Sequence, residues 1–156
     1  SAEELEEIIG RGATRLSVGL EPGAGREIAS RSRGTPRVAL RLLRRIRDFA
    51  EIEAQGVISR DLADGALQRL GVDRLGLDPL DRRLLTVILE HHSGGPFGRN
   101  NLAVSLGEEA DTLEEVCEPF LIQIGFIERT PRGRRLTEKG RRYLGAGPGP
   151  DTTLFD

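Results

Sequence analysis

The chain has 156 residues, 37% of them hydrophobic and 4% aromatic, with no Trp and no Met, so its core must come from Leu, Ile, Val and Ala, which favours packed helices over an all-β sandwich. Its one cysteine, Cys117, excludes an internal disulfide and a four-Cys zinc site, and it suits a reducing cytosol. The net charge of −2 argues against a polyanion binder when the chain is averaged, but the distribution is polarised and each half has to be read separately.

In chain order, Leu5, Ile8 and Ile9 sit at helical spacing among acids, and the spacing predicts a short amphipathic helix over 2–11 that ends at Gly10 and Gly12. A connector follows over 13–20, then a second helix over about 22–31 whose first turn is weakened by Gly23 and Gly25. The third helix is the best marked: Thr35 is placed as N-cap and Pro36 as the first helical residue, and Val38, Leu42, Ile46 and Phe49 recur down its buried face to about Glu53. Ser59 caps a fourth helix over 60–70, which Gly71 stops. These four helices form one unit, residues 1–73, and the aperiodic stretch 71–78 marks the boundary.

The second unit, residues 74–144, opens with a helix from Pro79, capped by Asp78, to about His91, followed by a short helix over 99–106. A longer helix over 111–124 carries Leu113, Val116, Cys117, Phe120, Leu121 and Ile124 as its apolar face, with Asp111 and Glu114 in a capping-box arrangement and Pro119 predicting a kink. Two short extended runs flank Thr130-Pro-Arg-Gly133 and predict a β-hairpin, and Thr137 caps a last helix to Leu144. Residues 145–156, rich in Gly and Pro, read as a flexible tail. The fold class is therefore mainly α: a four-helix unit followed by three helices and a hairpin, the order of a winged helix with the hairpin as its wing. Such modules bind DNA or protein, so the order alone decides neither.

Candidate chemistry is sparse. The phosphate-binding G-x-x-x-x-G-K-[ST] loop is excluded because the only lysine, Lys139, precedes Gly140. His91 and His92 are adjacent, so on a helix they diverge, and no metal site is expected. No apolar run approaches the ~20 residues of a membrane span. The N-terminus, Ser1-Ala-Glu-Glu4, lacks the basic and apolar regions of a signal peptide, so a cytoplasmic location is expected, and the absence of an initiator Met allows a processed chain or a piece of a longer one.

Two arginine clusters stand out. Eight arginines from Arg26 to Arg47 accompany only Glu27, and six from Arg129 to Arg142, with Lys139, accompany only Glu138. In the first, Gly34-Thr-Pro-Arg37 places Pro36 and Arg37 in the first turn of a helix, where dipole and guanidinium together suit phosphate. In the second, Arg129, Arg132, Arg134 and Arg135 crowd the hairpin, where they could track a phosphate backbone without reading sequence. A solvated Arg-rich surface is the plainer account of either cluster.

At Arg31-Ser-Arg-Gly-Thr-Pro-Arg37, through Leu42-Leu-Arg-Arg-Ile-Arg-Asp-Phe-Ala50, and again at Glu118-Pro-Phe-Leu121 and Arg129-Thr-Pro-Arg-Gly-Arg134, the chain resembles the RuvB family, bacterial AAA+ ATPases that drive branch migration of Holliday junctions in recombination and repair. The resemblance covers about residues 1–144 and only the C-terminal half of that family, its helical AAA+ lid and its winged-helix domain. It implies that Arg37 is the sensor-2 arginine reaching the terminal phosphate of ATP, with Pro36 beside it. It implies too that Arg132 and Arg134 are wing residues contacting DNA, with Arg129 and Arg135 beside them. Walker motifs, the Mg-dependent ATPase centre and the RuvA-binding hairpin belong to the large domain and have no counterpart here, so the chain alone should not hydrolyse ATP. Implied partners are the duplex arms of Holliday junctions, further copies in a hexamer, RuvA and RuvC. The alternative reading is a winged-helix transcription regulator with an N-terminal helical dimerisation domain, which the acids along residues 111–118 oppose; a third is a winged helix that binds only protein.

Overall fold

The Ser1 hydroxyl accepts from the Glu4 N–H, and the Glu4 carboxylate accepts from the Ser1 amino group at 3.0 Å, a reciprocal cap that starts helix α1, Ala2–Arg15. This computed structural model describes residues 1–91 and 93–147; the expected tail beyond 147, like His92, lies outside them. The chain parts into two units, Ser1–Asp78 and a second beginning at Pro79.

Helix α1 is longer than its glycines suggest. It runs through Gly10 and Gly12 because burial of Ala13 extends the apolar stripe of Leu5 and Ile9 by another turn. A Cβ at Gly12 would lie 2.8 Å from Leu40 Cδ2, so the missing side chain permits close packing rather than ending the helix. Helix α2 is shorter than expected, Ala24–Ser30, because Gly23 takes a left-handed φ of 88° at its N-cap. Helix α3, Pro36–Glu53, and helix α4, Arg60–Arg69, match their predicted spans, and Ser59 caps α4 by accepting from the Leu62 N–H. Thr35 occupies the N-cap position of α3, but its hydroxyl donates to the Arg33 carbonyl instead of capping the helix. The core of this unit joins Ile9, Ile28, Leu43, Ile46 and Leu67 from all four helices with Ile58 from the loop before α4. A parallel pair of two-residue strands, β1 (Gly19–Leu20) and β2 (Val57–Ile58), ties the two interhelical loops together.

In the second unit α5 spans Pro79–Glu90 and α6 spans Arg99–Leu106. The expected single helix over 111–124 is composite: α7, Ala110–Thr112, then a π-helical turn over Leu113–Cys117, then α8, Glu118–Gln123. The Glu118 N–H bonds back to the Leu113 carbonyl, five residues away. Pro119 has no N–H to continue the α ladder, and the widened turn accommodates its ring where the sequence predicted a kink. It also keeps Leu113, Cys117 and Leu121 buried at four-residue spacing, leaving Val116 49% exposed and Glu118 1% exposed.

The hairpin pairs β3, Ile127–Thr130, antiparallel with β4, Gly133–Leu136, around Pro131 and Arg132. Phe97 adds a bridge on the far side of β4, exchanging both backbone hydrogen bonds with Arg134 at 2.8 and 2.9 Å. Helix α9, Glu138–Tyr143, follows, with the Thr137 hydroxyl accepting from the Gly140 N–H. Three helical segments, a hairpin wing and a third-strand bridge make this unit a winged helix.

Candidate nucleic-acid interface and nucleotide sensor

Strand alternation decides where the wing arginines point. Ile127 and Leu136 pair across the hairpin and are buried, so with a period of two Arg129 and Arg134, themselves a register pair, share that inward face. Two guanidinium groups opposed across a ladder repel. Glu118 lies between them. Its carboxylate accepts from Arg129 Nε and Nη2 at 3.2 and 2.9 Å, and from Arg134 Nε and Nη2 at 2.5 and 3.2 Å. Arg134 Nη2 also donates to Glu114 at 2.7 Å. The network then reaches α6, where Arg99 pairs with Glu114 at 2.6 Å and with Asp111.

These contacts alter the reading of two sequence features. Asp111 and Glu114 do not form a capping box; the helix starts at Ala110, and both carboxylates hold Arg99 instead. Arg134, singled out as a DNA contact, is buried and fastens the wing to α8. Pairing with Arg99, reinforced by Arg134, holds Glu114 below the usual carboxylate range, while Glu118 raises the Arg134 pKa. Both charges are therefore kept.

The wing cations differ in freedom. Arg135 is exposed and donates to Glu128 across the strands at 2.8 Å. Arg129 is half exposed but held on Glu118. Arg132 sits at the turn with only its backbone N–H engaged, by Thr130 Oγ1 at 3.3 Å; its guanidinium has no partner among the described residues. Arg141, counted in the same cluster, donates to the backbone of Ser93 and Gly147. Carboxylates thus balance Arg129, Arg134 and Arg135, while Arg132 at the tip, and Lys139 and Arg142 on α9, have no ion pair among the described residues.

In the first unit, Pro36 and Arg37 occupy the first turn of α3 and are both exposed. The Arg37 guanidinium has no hydrogen bond or ion pair among the described residues, and Arg41, Arg44 and Arg45 continue an exposed face opposite the buried Ala39, Leu43 and Ile46. Such a placement leaves Arg37 available to a polyphosphate, with no competing carboxylate. By contrast Arg31 and Arg33, six and four residues before it, are consumed internally. Among the described residues no group of three or more His, Cys, Asp or Glu side chains is placed to hold a metal ion, and no helix is long and apolar enough to cross a membrane.

Four helices with an arginine at the start of the third, followed by a winged helix, define the class: the lid of an AAA+ ATPase joined to a winged-helix module. Family comparison agrees, with the RuvB AAA lid domain matching residues 1–73 and the RuvB C-terminal winged helix domain matching 74–145. The chain belongs to the RuvB family. It is 53% identical over 155 residues to the Holliday junction branch migration complex subunit RuvB of Paracoccus denitrificans, covering 99% of this chain and 46% of that protein. To the same subunit of Rhodococcus erythropolis it is 55% identical over 149 residues, covering 96% and 41%. The solved Thermotoga maritima RuvB Holliday junction branch migration motor superposes with a TM-score of 0.86 at 47% identity, over 95% of this chain and 50% of that one. The chain thus spans about half the length of the relatives it matches.

Sequence reasoning passed over Glu118 and Arg99. Strand alternation anchored on Leu136 was the available signal for Arg134 facing inward and so requiring a buried acid. Pro119 marked an irregularity there, but not that it would be the π turn that supplies it.

Proposed function

We propose that this chain supplies the nucleotide-sensing lid, residues 1–73, and the DNA-gripping winged helix, residues 74–144, of an ATP-driven motor that migrates Holliday junctions. The observation that carries the reading is the wing: Glu118 pins Arg129 and Arg134 so that Arg132 projects unpaired from a braced turn. A braced tip with a free guanidinium suits contact with backbone phosphates, which is indifferent to sequence. Arg135 adds to that contact where phosphate displaces Glu128, and Arg129 and Arg134 act through the shape of the wing.

On this reading Arg37, with Pro36, meets the terminal phosphates of ATP held by an ATPase domain that also binds Mg. The residues present fit that part: an exposed, uncompensated guanidinium at a helix start. ATP supplies the energy of each cycle, and the lid reports its state through Arg37. Partners are the duplex arms of the junction, further copies in a hexameric ring, and RuvA and RuvC, in the cytoplasm. The transcription-regulator reading finds no support in the matches, and Glu115, exposed on the helix that would enter the groove, repels phosphate.

The test is enzymatic. The chain alone should show no ATP turnover; joined to the ATPase part of a relative it should support ATP-dependent junction migration, and Arg37→Ala should abolish turnover. Robust turnover by the chain alone, or full turnover with Arg37→Ala, contradicts the reading.

A further inference from the structure

The turn between α2 and α3, residues 31–35, has two sides. Toward α3 it delivers Arg37. Toward the C-terminal end of the same unit it grips the connector 71–78, whose last residue, Asp78, immediately precedes the first helix of the winged unit. The Arg33 guanidinium, 8% exposed, donates from Nε to the Gly76 carbonyl at 3.1 Å and pairs through Nη2 with Asp78 at 3.4 Å. Arg31, 3% exposed, donates to the Val72 carbonyl at 3.5 Å while Glu27 and Asp64 balance its charge. Gly76, at φ 92°, lies so close to the turn that a Cβ there would be 3.0 Å from the Arg31 carbonyl oxygen.

Both halves of this contact are stiff. Arg33 is held at φ 58°, a left-handed conformation uncommon for a residue with a side chain. The hydroxyl of Ser32, a fully buried residue, donates to the Ile28 carbonyl at 2.5 Å. The connector is folded on itself: the Asp73 carboxylate accepts from the N–H groups of Leu75 and Leu77, at 3.0 and 2.9 Å. A connector between domains is by default a hinge. Here it is bolted to the turn that carries Arg37.

We propose that Arg33 is a positioning residue that couples the nucleotide sensor to the winged helix, by making the connector move with the α2–α3 turn. The proposal rests on the role of Arg37 given above. Without the Arg33 side chain the sensor would still meet ATP, but its displacement would dissipate in the connector before reaching the wing.

Arg33→Asn is the informative variant, since Asn tolerates the left-handed backbone yet is too short to reach Gly76 or Asp78; Asp78→Asn removes the charge of the same pair from the other side and leaves the turn untouched. The measurement is 15N relaxation on the whole chain. The wild-type connector should show amide order parameters of about 0.85, falling below about 0.6 over 75–78 in Arg33→Asn and falling in the same direction in Asp78→Asn, with the remaining amide resonances unmoved. A connector that is mobile in the wild type, or rigid in both variants, overturns the proposal.

A second arm uses the chain joined to the ATPase part of a relative. Arg33→Asn should lower junction migration per ATP hydrolysed by about 3- to 10-fold, with turnover held near the wild-type rate. Loss of turnover in proportion to migration, or no loss of either, overturns the coupling. Arg37→Ala distinguishes the two readings: if it leaves turnover intact the sensor role fails, while the connector result stands or falls on the relaxation data alone.

Discussion

Arg129 and Arg134 face each other directly across the wing and share one buried carboxylate, that of Glu118. The arrangement turns a repulsive cross-strand pair into a brace between β3, β4 and α8. It also separates two states that a row of arginines suggests to be one: Arg134 is buried and shapes the wing, and the Arg132 guanidinium is left unpaired at its turn.

Removing the shared carboxylate should therefore cost more than removing any exposed charge. Glu118→Ala leaves two closely spaced cations with Arg134 buried, and breaking such a pair from one side costs about 3–5 kcal/mol. Arg135→Ala, at an exposed cross-strand pair, should stay within about 0.5 kcal/mol of wild type. Urea denaturation of both variants checks the contrast; equal midpoints would mean that Glu118 does not brace the wing.

Gly140→Ala reverses the usual helix-propensity effect. In an exposed helix interior the change would gain up to about 1 kcal/mol, but here a Cβ would meet the Phe126 carbonyl oxygen at 2.4 Å and Leu136 Cδ1 at 2.9 Å. The clash is with backbone that closes the wing onto α9, so a loss of about 1–3 kcal/mol is expected. Thermal unfolding decides the sign, and a raised midpoint would contradict the packing described.

Acid should loosen the second unit through Glu114. Pairing with Arg99 and Arg134 lowers its pKa in the folded chain, below an unfolded value of about 4.3. The stabilisation is thus complete above that unfolded value and lost as pH falls through the folded one. Glu114→Gln should flatten the fall of the unfolding midpoint between about pH 5 and 2; an unchanged profile would remove Glu114 from the network.

Much of this architecture was legible because it follows from period and punctuation. Thr35-Pro36 marked α3, Ser59 and Gly71 bounded α4, and Pro131-Arg-Gly133 located the wing. What was not legible depends on partners distant in sequence. Gly12 breaks no helix because Leu40 packs against it, a fact set by tertiary contact. Strands β1 and β2 have two residues each and hold no period to read. Pro119 announced an irregularity but not its kind, and only the resulting π turn shows Glu118 beneath the wing. The arginine clusters were visible as charge; whether each guanidinium was free or consumed required the positions of Glu114, Glu118 and Asp78.

The most direct test of the account is binding of duplex and four-way-junction DNA by fluorescence anisotropy across a salt series, comparing wild type, Arg132→Ala and the fold-neutral control Arg142→Ala. Arg132→Ala should weaken binding alike on every sequence and reduce the salt slope by about 1, with an unchanged unfolding midpoint. If Arg132→Ala binds with wild-type affinity and slope, the free guanidinium at the tip is not the DNA contact, and the winged helix must meet a partner other than phosphate.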